Sequence, residues 1–449
     1  MAEMTKLPLK GIRVTSLGVV WGGPYVGMQL ADWGAEVIRV ESTKHFQPLT
    51  RGMEFRPSLE SFKNRAGLSV HLKQNHDPDT AHNTYNNFNC HSNNKLSMTV
   101  DLTKPKGMEI FRKLIKVSDV FVENNAPRVK EKLGITWNDL RDVNPKLIMV
   151  SLSSFGDSGP YKNYRCLGAQ VEGFCGHNYI TGYPDEELDT VSASYISDMA
   201  AGVNGALAVV MALHQRLKTG AGQYINLSQA EAFIPYLAQV VMDFTMNGRV
   251  TERIGNRSYH GAVQGCYRCR DVQGKQSCGN EVKDTWVTIT IANDQEWQGF
   301  CRAIGNPEWT RDDRFQDSLS RLRNHDLLDK HIEEWTIGND AYDLMYILQQ
   351  HGVAAGPVMD EQDVYSDVHL RARGFFHELS HRFTGTHLYP GPAFQMPKAC
   401  SKPSSPPVCL GEHNEYVYKE LLGISNEEYA ELEKEGHIGT DYALEEVKS

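Results

Sequence analysis

The chain has 449 residues, 40% hydrophobic and 23% charged, the balance of a globular protein too long for one ordinary core. Its formal net charge of −10 argues against nucleic acid as the main partner, while leaving room for a local basic patch that takes a phosphorylated ligand. No run approaches ~18 consecutive apolar residues and the N-terminus lacks a long apolar stretch, so no membrane span or secretion signal is expected and the location reads as cytoplasmic. Nine irregularly spaced cysteines, an odd number, read as reduced thiols rather than a disulfide framework.

Residues 11–41, GIRVTSLGVVWGGPYVGMQLADWGAEVIRVE, give a strand, the glycine turn WGGP, a helix and a second strand, a βαβ unit of a parallel sheet. Gly34 fits the helix C-terminus. Neither G-x-G-x-x-G nor G-x-x-x-x-G-K-[ST] is present, which removes an NAD-dependent dehydrogenase and a P-loop enzyme from consideration. Residues 42–94 are polar, rich in Asn and His and weakly periodic, and read as a long solvated loop. Its histidines (His45, His71, His76, His82, His91) form no i,i+4 pair on a helix, so no metal is expected.

The alternation then resumes. LSMTVDL (96–102) is a strand, and 104–118 is an amphipathic helix with Ile110, Leu114 and Val117 on one face. DVFVENN (119–125) and LIMVSLSSFG (147–156) are strands. The spacing predicts a doubly wound α/β domain with its ligand at the carboxyl ends of the strands, which carry VWGGP, VDLTK, VENNAP and SSFGDSGP.

In VSASYISDMAAG (191–202) a lone Asp198 precedes a small-residue run that opens an apolar helix over 199–218. By position alone it reads as an N-cap, its carboxylate accepting a first-turn N–H. A second region, about 250–370, holds a β-hairpin around GCYRCRDVQGKQSCGNEVKDTWVTITIA, helices near DQEWQGFCRAIG and LLDKHIEEWTIGNDAYDLMYILQQHG, and a strand-turn at VAAGPVMD. Cys266, Cys269 and Cys278 lack the fourth ligand of a structural zinc site, so the hairpin reading is preferred. Beyond about 375 come strand-like, proline-rich text and a helical tail.

GAEVIRVE, NKLSMTVDL, SDVFVENNAP, KLGITWNDLRDVNPKLIMVSLSSFGDSGP, KTGAGQYINLSQ, HGVAAGPVMD and LGEHN occur in an order that resembles the class III CoA-transferases, the CaiB/BaiF family of formyl-CoA and carnitine CoA-transferases, from about residue 9 to about 435. VVMDFTMNGRV and GYPD resemble the succinyl-CoA:benzylsuccinate branch most. The resemblance implies ATP-independent transfer of CoA from an acyl-CoA to a free acid, here a substituted succinate, with CoA as substrate and no permanently bound cofactor. It implies a Rossmann-like large domain with a parallel sheet over 1–230 and 375–449, and a smaller α+β domain over 250–370. It also implies an interlocked dimer, of two copies or with a related chain.

Carried over residue by residue, the resemblance makes Asp198 the nucleophile, following Gly182–Asp185 and flanked by Ser197, Ala200, Ala201 and Gly202. Cap and nucleophile are compatible, since a helix N-terminus supplies donors and keeps the carboxylate ionised. The CoA-contacting positions would be Trp21 and Gly22, Asp101, Leu102 and Thr103, Asn124, Asn125 and Ala126, Lys132 and Arg165. Trp21 stands where many relatives have glutamine, a departure that reshapes the acyl pocket. Glu172 would polarise or orient the site, or serve as a structural hydrogen-bonding residue. Tyr259, His260 and Gly261, in the nearest equivalent of the family's lid, would face the acyl group. Two alternatives stay open: a non-catalytic subunit of a heteromeric transferase, and a 2-methylacyl-CoA racemase. The latter needs a His/Asp proton-exchange pair, and no such histidine context is recognisable.

Overall fold

β-Branched and aliphatic runs separated by helices build one parallel sheet. The structure is a computed structural model and describes residues 7–58, 60, 77–259, 261–273, 282–399 and 401–443. Strands β1 (Arg13–Leu17), β2 (Glu36–Glu41), β3 (Lys95–Thr99), β4 (Val120–Glu123), β5 (Ile148–Ser153) and β6 (Gln223–Ser228) lie in the order β3-β2-β1-β4-β5-β6. Every neighbouring pair is parallel. The order reverses between β1 and β4, which opens a crevice at their carboxyl ends.

Apolar side chains cover both faces, as an all-parallel sheet requires. Helix α1 (Gly22–Asp32) contributes Val26 and Leu30 to one face, with Val37, Val120, Val150 and Val209. Helix α2 (Pro105–Lys116) contributes Phe111 and Leu114 to the other, where Phe121 and Met149 meet Tyr418 and Leu432 from the C-terminal segment. Ile110 and Leu114 are buried as the periodicity predicts, but Val117 falls just past the last turn and is exposed. The C-terminal segment returns to edge strand β3: His413 N–H donates to Ser97 O at 2.9 Å, and Asn414 Oδ1 accepts from Thr99 N–H at 2.8 Å. The LGEHN stretch thereby covers an edge that would otherwise present unpaired backbone groups.

After α3 (Pro127–Leu133) and α4 (Gly168–Phe174), the long helix α5 (Ile196–Thr219) follows β5. It is long and apolar enough to cross a membrane by length and composition, yet Ala200, Ala201, Gly202, Gly205, Ala206 and Val209 bury one side of it. Small residues there let α1 approach closely. A Cβ at Gly205 would lie 2.7 Å from Val26 Cγ2, and one at Gly202 would lie 2.6 Å from Tyr25 Cδ1. This close packing carries the first turn of α5 to the start of α1.

The polar 42–94 stretch is not simply a solvated loop. Among its described residues Arg51, His82, Tyr85, Phe88 and His91 are buried. Arg51 grips Glu41 through two 2.7 Å hydrogen bonds, and its guanidinium lies 3.8 Å from the Phe88 ring centroid. Periodicity could not reveal this, because the segment packs through an ion pair and rings rather than through an apolar stripe. His71 and His76 lie outside the described residues.

The chain divides into two compact units, Met1–His177 with Ala193–Gly248 and Leu370–Ser449, and Asn178–Ser192 with Arg249–His369. The second contains a three-stranded antiparallel sheet of β7 (Gln264–Arg268), β8 (Trp286–Thr290) and β9 (Ala354–Pro357), with β8 central. Its core gathers Val287, Ile289, Trp297, Phe300, Leu328 and Leu344. Cys266 and Cys269 are free thiols on and just after β7, and Cys278 lies outside the described residues.

Candidate active site

Asp198 is not the N-cap of α5. That position belongs to Tyr195, whose backbone is left-handed (φ 56°, ψ 19°) and whose side chain caps nothing. Asp198 is the third residue of the helix, and its own N–H donates to Tyr195 O at 3.2 Å. Its carboxylate turns instead toward the start of α1, where the Gly22 N–H donates to it, and the Gln229 side chain hydrogen-bonds to it as well. Gln229 opens α6 (Gln229–Phe233) directly after β6, so it too comes from the carboxyl end of a strand. The carboxylate therefore lies at a helix N-terminus, where unsatisfied N–H groups favour an anion.

Two glycines make room for it. A Cβ at Gly168 would stand 2.1 Å from Asp198 Oδ2, and one at Gly22 would stand 3.3 Å from Oδ1. Glu172, fully buried on α4, fixes the helix start: it accepts from Ser194 N–H (3.0 Å), Ser194 O–H (3.1 Å) and Ser197 N–H (3.4 Å). Ser197 O–H in turn donates to Gly168 O at 3.2 Å, and Gln229 Nε2 to Ser197 Oγ at 3.2 Å.

Burial raises the Asp198 carboxyl from its ordinary value to about 6, the Gly22 and Gln229 hydrogen bonds pull against this, and the nearby Glu172 charge adds to the rise. Among the described residues no cation contributes to the balance. A desolvated carboxylate with few partners, ionised at neutral pH, is available as a nucleophile.

The turn after β1 is held from three sides. Val20 has φ 58°, a strained conformation for a β-branched residue. Asn124 Oδ1 accepts from Val19 N–H at 2.7 Å while Nδ2 donates to Val19 O at 2.9 Å. Val20 N–H donates to Thr50 Oγ1 at 2.9 Å, and His91 Nε2 bonds Val20 O at 3.2 Å. The clamp spans β1 and β4, the two strands at the switch point, and sets the Gly22 N–H in place.

The other sequence-selected positions sort by what their side chains already touch. Asp101 accepts from Thr103 N–H (3.0 Å) and O–H (2.6 Å), closing the turn that leads into α2, with Leu102 half-buried inside it. Asn125 N–H donates to Glu123 at 2.8 Å and Ala126 caps α3. Lys132 and Arg165 are exposed, available to a phosphate or to solvent. Tyr259 and Gly261 belong to the second unit, where the Arg249 guanidinium lies 5.2 Å from the Tyr259 ring centroid; His260 lies outside the described residues. Among the described residues no group of three or more His, Cys, Asp or Glu could hold a metal.

Sequence reasoning passed over Lys130. It is buried two residues before Lys132, bonded to Asp157 at 2.7 and 2.9 Å and to Ser151, with Glu123 at 3.3 Å. Tyr224 O–H closes the set on Asp157. The cluster ties the loop after β5 to α3. Neither Gln229 nor Gly168 carried a signal of its own in the sequence.

The CoA-transferase family III model matches residues 9–414. A succinyl-CoA–D-citramalate CoA-transferase from Chloroflexus aurantiacus is 29% identical, the match covering 95% of this chain and 97% of that one. A succinyl-CoA–L-malate CoA-transferase alpha subunit from the same organism is 28% identical, with 95% and 92% covered. The crystal structure of a CAIB/BAIF family protein from Brucella suis superposes with a TM-score of 0.76 at 27% identity, covering 93% of this chain and all of that one. The chain belongs to CoA-transferase family III and is a CoA-transferase.

Proposed function

We propose that this chain moves CoA from an acyl-CoA to a free carboxylic acid by covalent catalysis on Asp198. The carrying observation is a half-buried carboxylate raised to about 6 with no cation beside it among the described residues, set at the N-terminus of α1 on the carboxyl side of the sheet. Asp198 attacks the thioester carbonyl and expels CoA thiolate, giving an acyl-aspartyl anhydride. The thiolate attacks the aspartyl carbonyl, releasing the donor acid and leaving an aspartyl-CoA thioester. The acceptor carboxylate attacks that thioester, expelling the thiolate and forming a second anhydride. The thiolate then takes the acceptor acyl group and frees Asp198. Each step exchanges one acyl bond for another, so no ATP is consumed.

The Gly22 N–H and the Gln229 amide, which meet the carboxylate in the resting state, are suited to bind the oxyanion of each tetrahedral intermediate. CoA follows the carboxyl ends of the strands, with the 101–103 turn, the 124–126 turn and the exposed Lys132 and Arg165 meeting its polar parts. The donor is read as succinyl-CoA and the acceptor as a substituted succinate, in line with two relatives named for succinyl-CoA with citramalate and malate. The working unit is read as a cytoplasmic dimer.

The test is a steady-state assay with succinyl-CoA and a panel of carboxylic acids, following new acyl-CoA by chromatography. Wild type is expected to form the acceptor's CoA ester and Asp198→Asn to form none. A second reading, a scaffold subunit beside a related catalytic chain, is favoured by the relative named as an alpha subunit. Binding of CoA without turnover, restored by adding a related chain, would select it.

A further inference from the structure

Trp21 and Tyr195 occupy two positions that local helix chemistry reserves for other residues. Trp21 is the N-cap of α1, where Ser, Thr, Asp or Asn would satisfy a free N–H, and its side chain makes no capping bond. Tyr195 is the N-cap of α5 with φ 56°, a conformation that glycine or asparagine adopts at less cost, and it too makes no capping bond. Both positions break the local rule with an aromatic ring, and the rings meet each other. Their centroids are 6.4 Å apart with planes inclined by 20°. His91 backs Trp21 at 6.2 Å, while its Nε2 bonds the Val20 carbonyl one residue earlier.

The pair flanks the reacting group. Trp21 immediately precedes Gly22, whose N–H binds the Asp198 carboxylate, and Tyr195 supplies the carbonyl that accepts the Asp198 N–H. Tyr195 is 42% exposed and Trp21 half-buried, so the stack presents open ring surface. Where sequence breaks local propensity at a site, a functional demand is the usual cause.

We infer that Trp21 and Tyr195 form an aromatic wall on the acyl side of Asp198 and select carboxylic acids bearing a flat or branched apolar group over small polar ones. This rests on the CoA-transfer reading above and adds the acid class and the residues that choose it. An aryl or branched alkyl group laid against the rings loses apolar surface to the protein and gains offset stacking. A small polar acid dehydrates the same rings without replacing the lost water contacts.

The test uses succinyl-CoA as donor with phenylsuccinate and malate as acceptors, on the chain and on its Trp21→Leu and Tyr195→Asn variants. Asparagine suits the left-handed backbone, and the two variants are independent, so one that fails to fold leaves the other to decide. The readout is the ratio of kcat/KM for phenylsuccinate over malate, which a merely structural role would not move. Wild type is expected to prefer phenylsuccinate, and the ratio to fall at least about tenfold in each variant. A ratio held within about twofold, or a wild-type preference for malate, overturns the wall and leaves CoA transfer standing. A wild type that transfers CoA to neither acid and gains no acyl label at Asp198 overturns the transfer reading, and the wall with it.

Discussion

Glu41 and Asp198 are two carboxylates that the fold takes out of water at the carboxyl side of one sheet, and their surroundings drive them in opposite directions. Burial opposes the charge of Glu41, but the Arg51 and Arg39 guanidiniums and the Ser97 hydroxyl outweigh it and hold its carboxyl well below the ordinary range. Burial opposes the charge of Asp198 as well; only the Gly22 N–H and the Gln229 amide answer it, and the Glu172 charge reinforces it. Two cations make Glu41 a fixed ion whose lone pairs are occupied. Their absence leaves Asp198 weakly held, with lone pairs free to attack. The difference in partners separates a residue that fastens the 42–94 stretch to β2 from one that can do chemistry.

The largest expected effect is on turnover. Asp198→Asn should lower kcat by at least about 10³-fold with CoA affinity little changed, measured by steady-state kinetics and calorimetric titration. Its counterpart is Arg51→Met, which leaves the buried Glu41 charge with Arg39 alone at 3.4 Å and should cost about 3 kcal/mol in denaturant unfolding. A loss below about 1 kcal/mol there would mean that the Glu41 ion pair is not what anchors the stretch.

Next comes Gly168→Ala, whose Cβ would lie 2.1 Å from Asp198 Oδ2 and must displace the carboxylate. A drop in kcat of about 10²-fold is expected, with a distinctly smaller one for Gly22→Ala, where the contact is 3.3 Å. Equal effects would indicate that carboxylate position is not the cause.

The pH behaviour of the two carboxylates should have opposite signs. Asp198, raised from 3.8 to about 6, opposes folding once ionised, so wild type loses stability as pH rises between those values. Asp198→Asn should therefore be more stable than wild type by about 1–3 kcal/mol at pH ~8, with the gain gone by pH ~3. Glu41 is depressed, so its contribution is full above its unfolded value of 4.5 and is lost as pH falls below it. The smallest effect belongs to Glu172→Gln. Removing a like charge should move the acid limb of the kcat/KM profile down by about a few tenths of a pH unit. An upward shift would mean that Glu172 acts on Asp198 through geometry rather than charge.

Most of the sheet was legible because strands such as VFVE and IMVSLS are runs of β-branched and aliphatic residues, and the connections after β1 and β3 carry a glycine turn or a helix period. Asp198 stood out through its neighbours: the small residues after it are those that bring α5 against α1. Its partners were not legible. Gly168 acts by lacking a side chain, Gln229 by a position fixed only once β6 joins the sheet, and Tyr195 by a backbone angle that a tyrosine does not announce. Arg51 and Phe88 were read as part of a solvated loop because polar residues without periodicity give no sign that one of them pairs with a strand residue, Glu41, 10 positions away in sequence. Lys130 was hidden by Lys132, since charge spacing does not say which lysine turns inward.

The measurement that bears most directly on the central claim is chemical trapping. The chain is incubated with succinyl-CoA, quenched with hydroxylamine or borohydride, and its peptides are mapped by mass spectrometry. Modification is expected at Asp198 alone, absent from Asp198→Asn and growing in as pH passes about 6. Modification at another carboxylate, or new acyl-CoA formed at full rate by the asparagine variant, would contradict it.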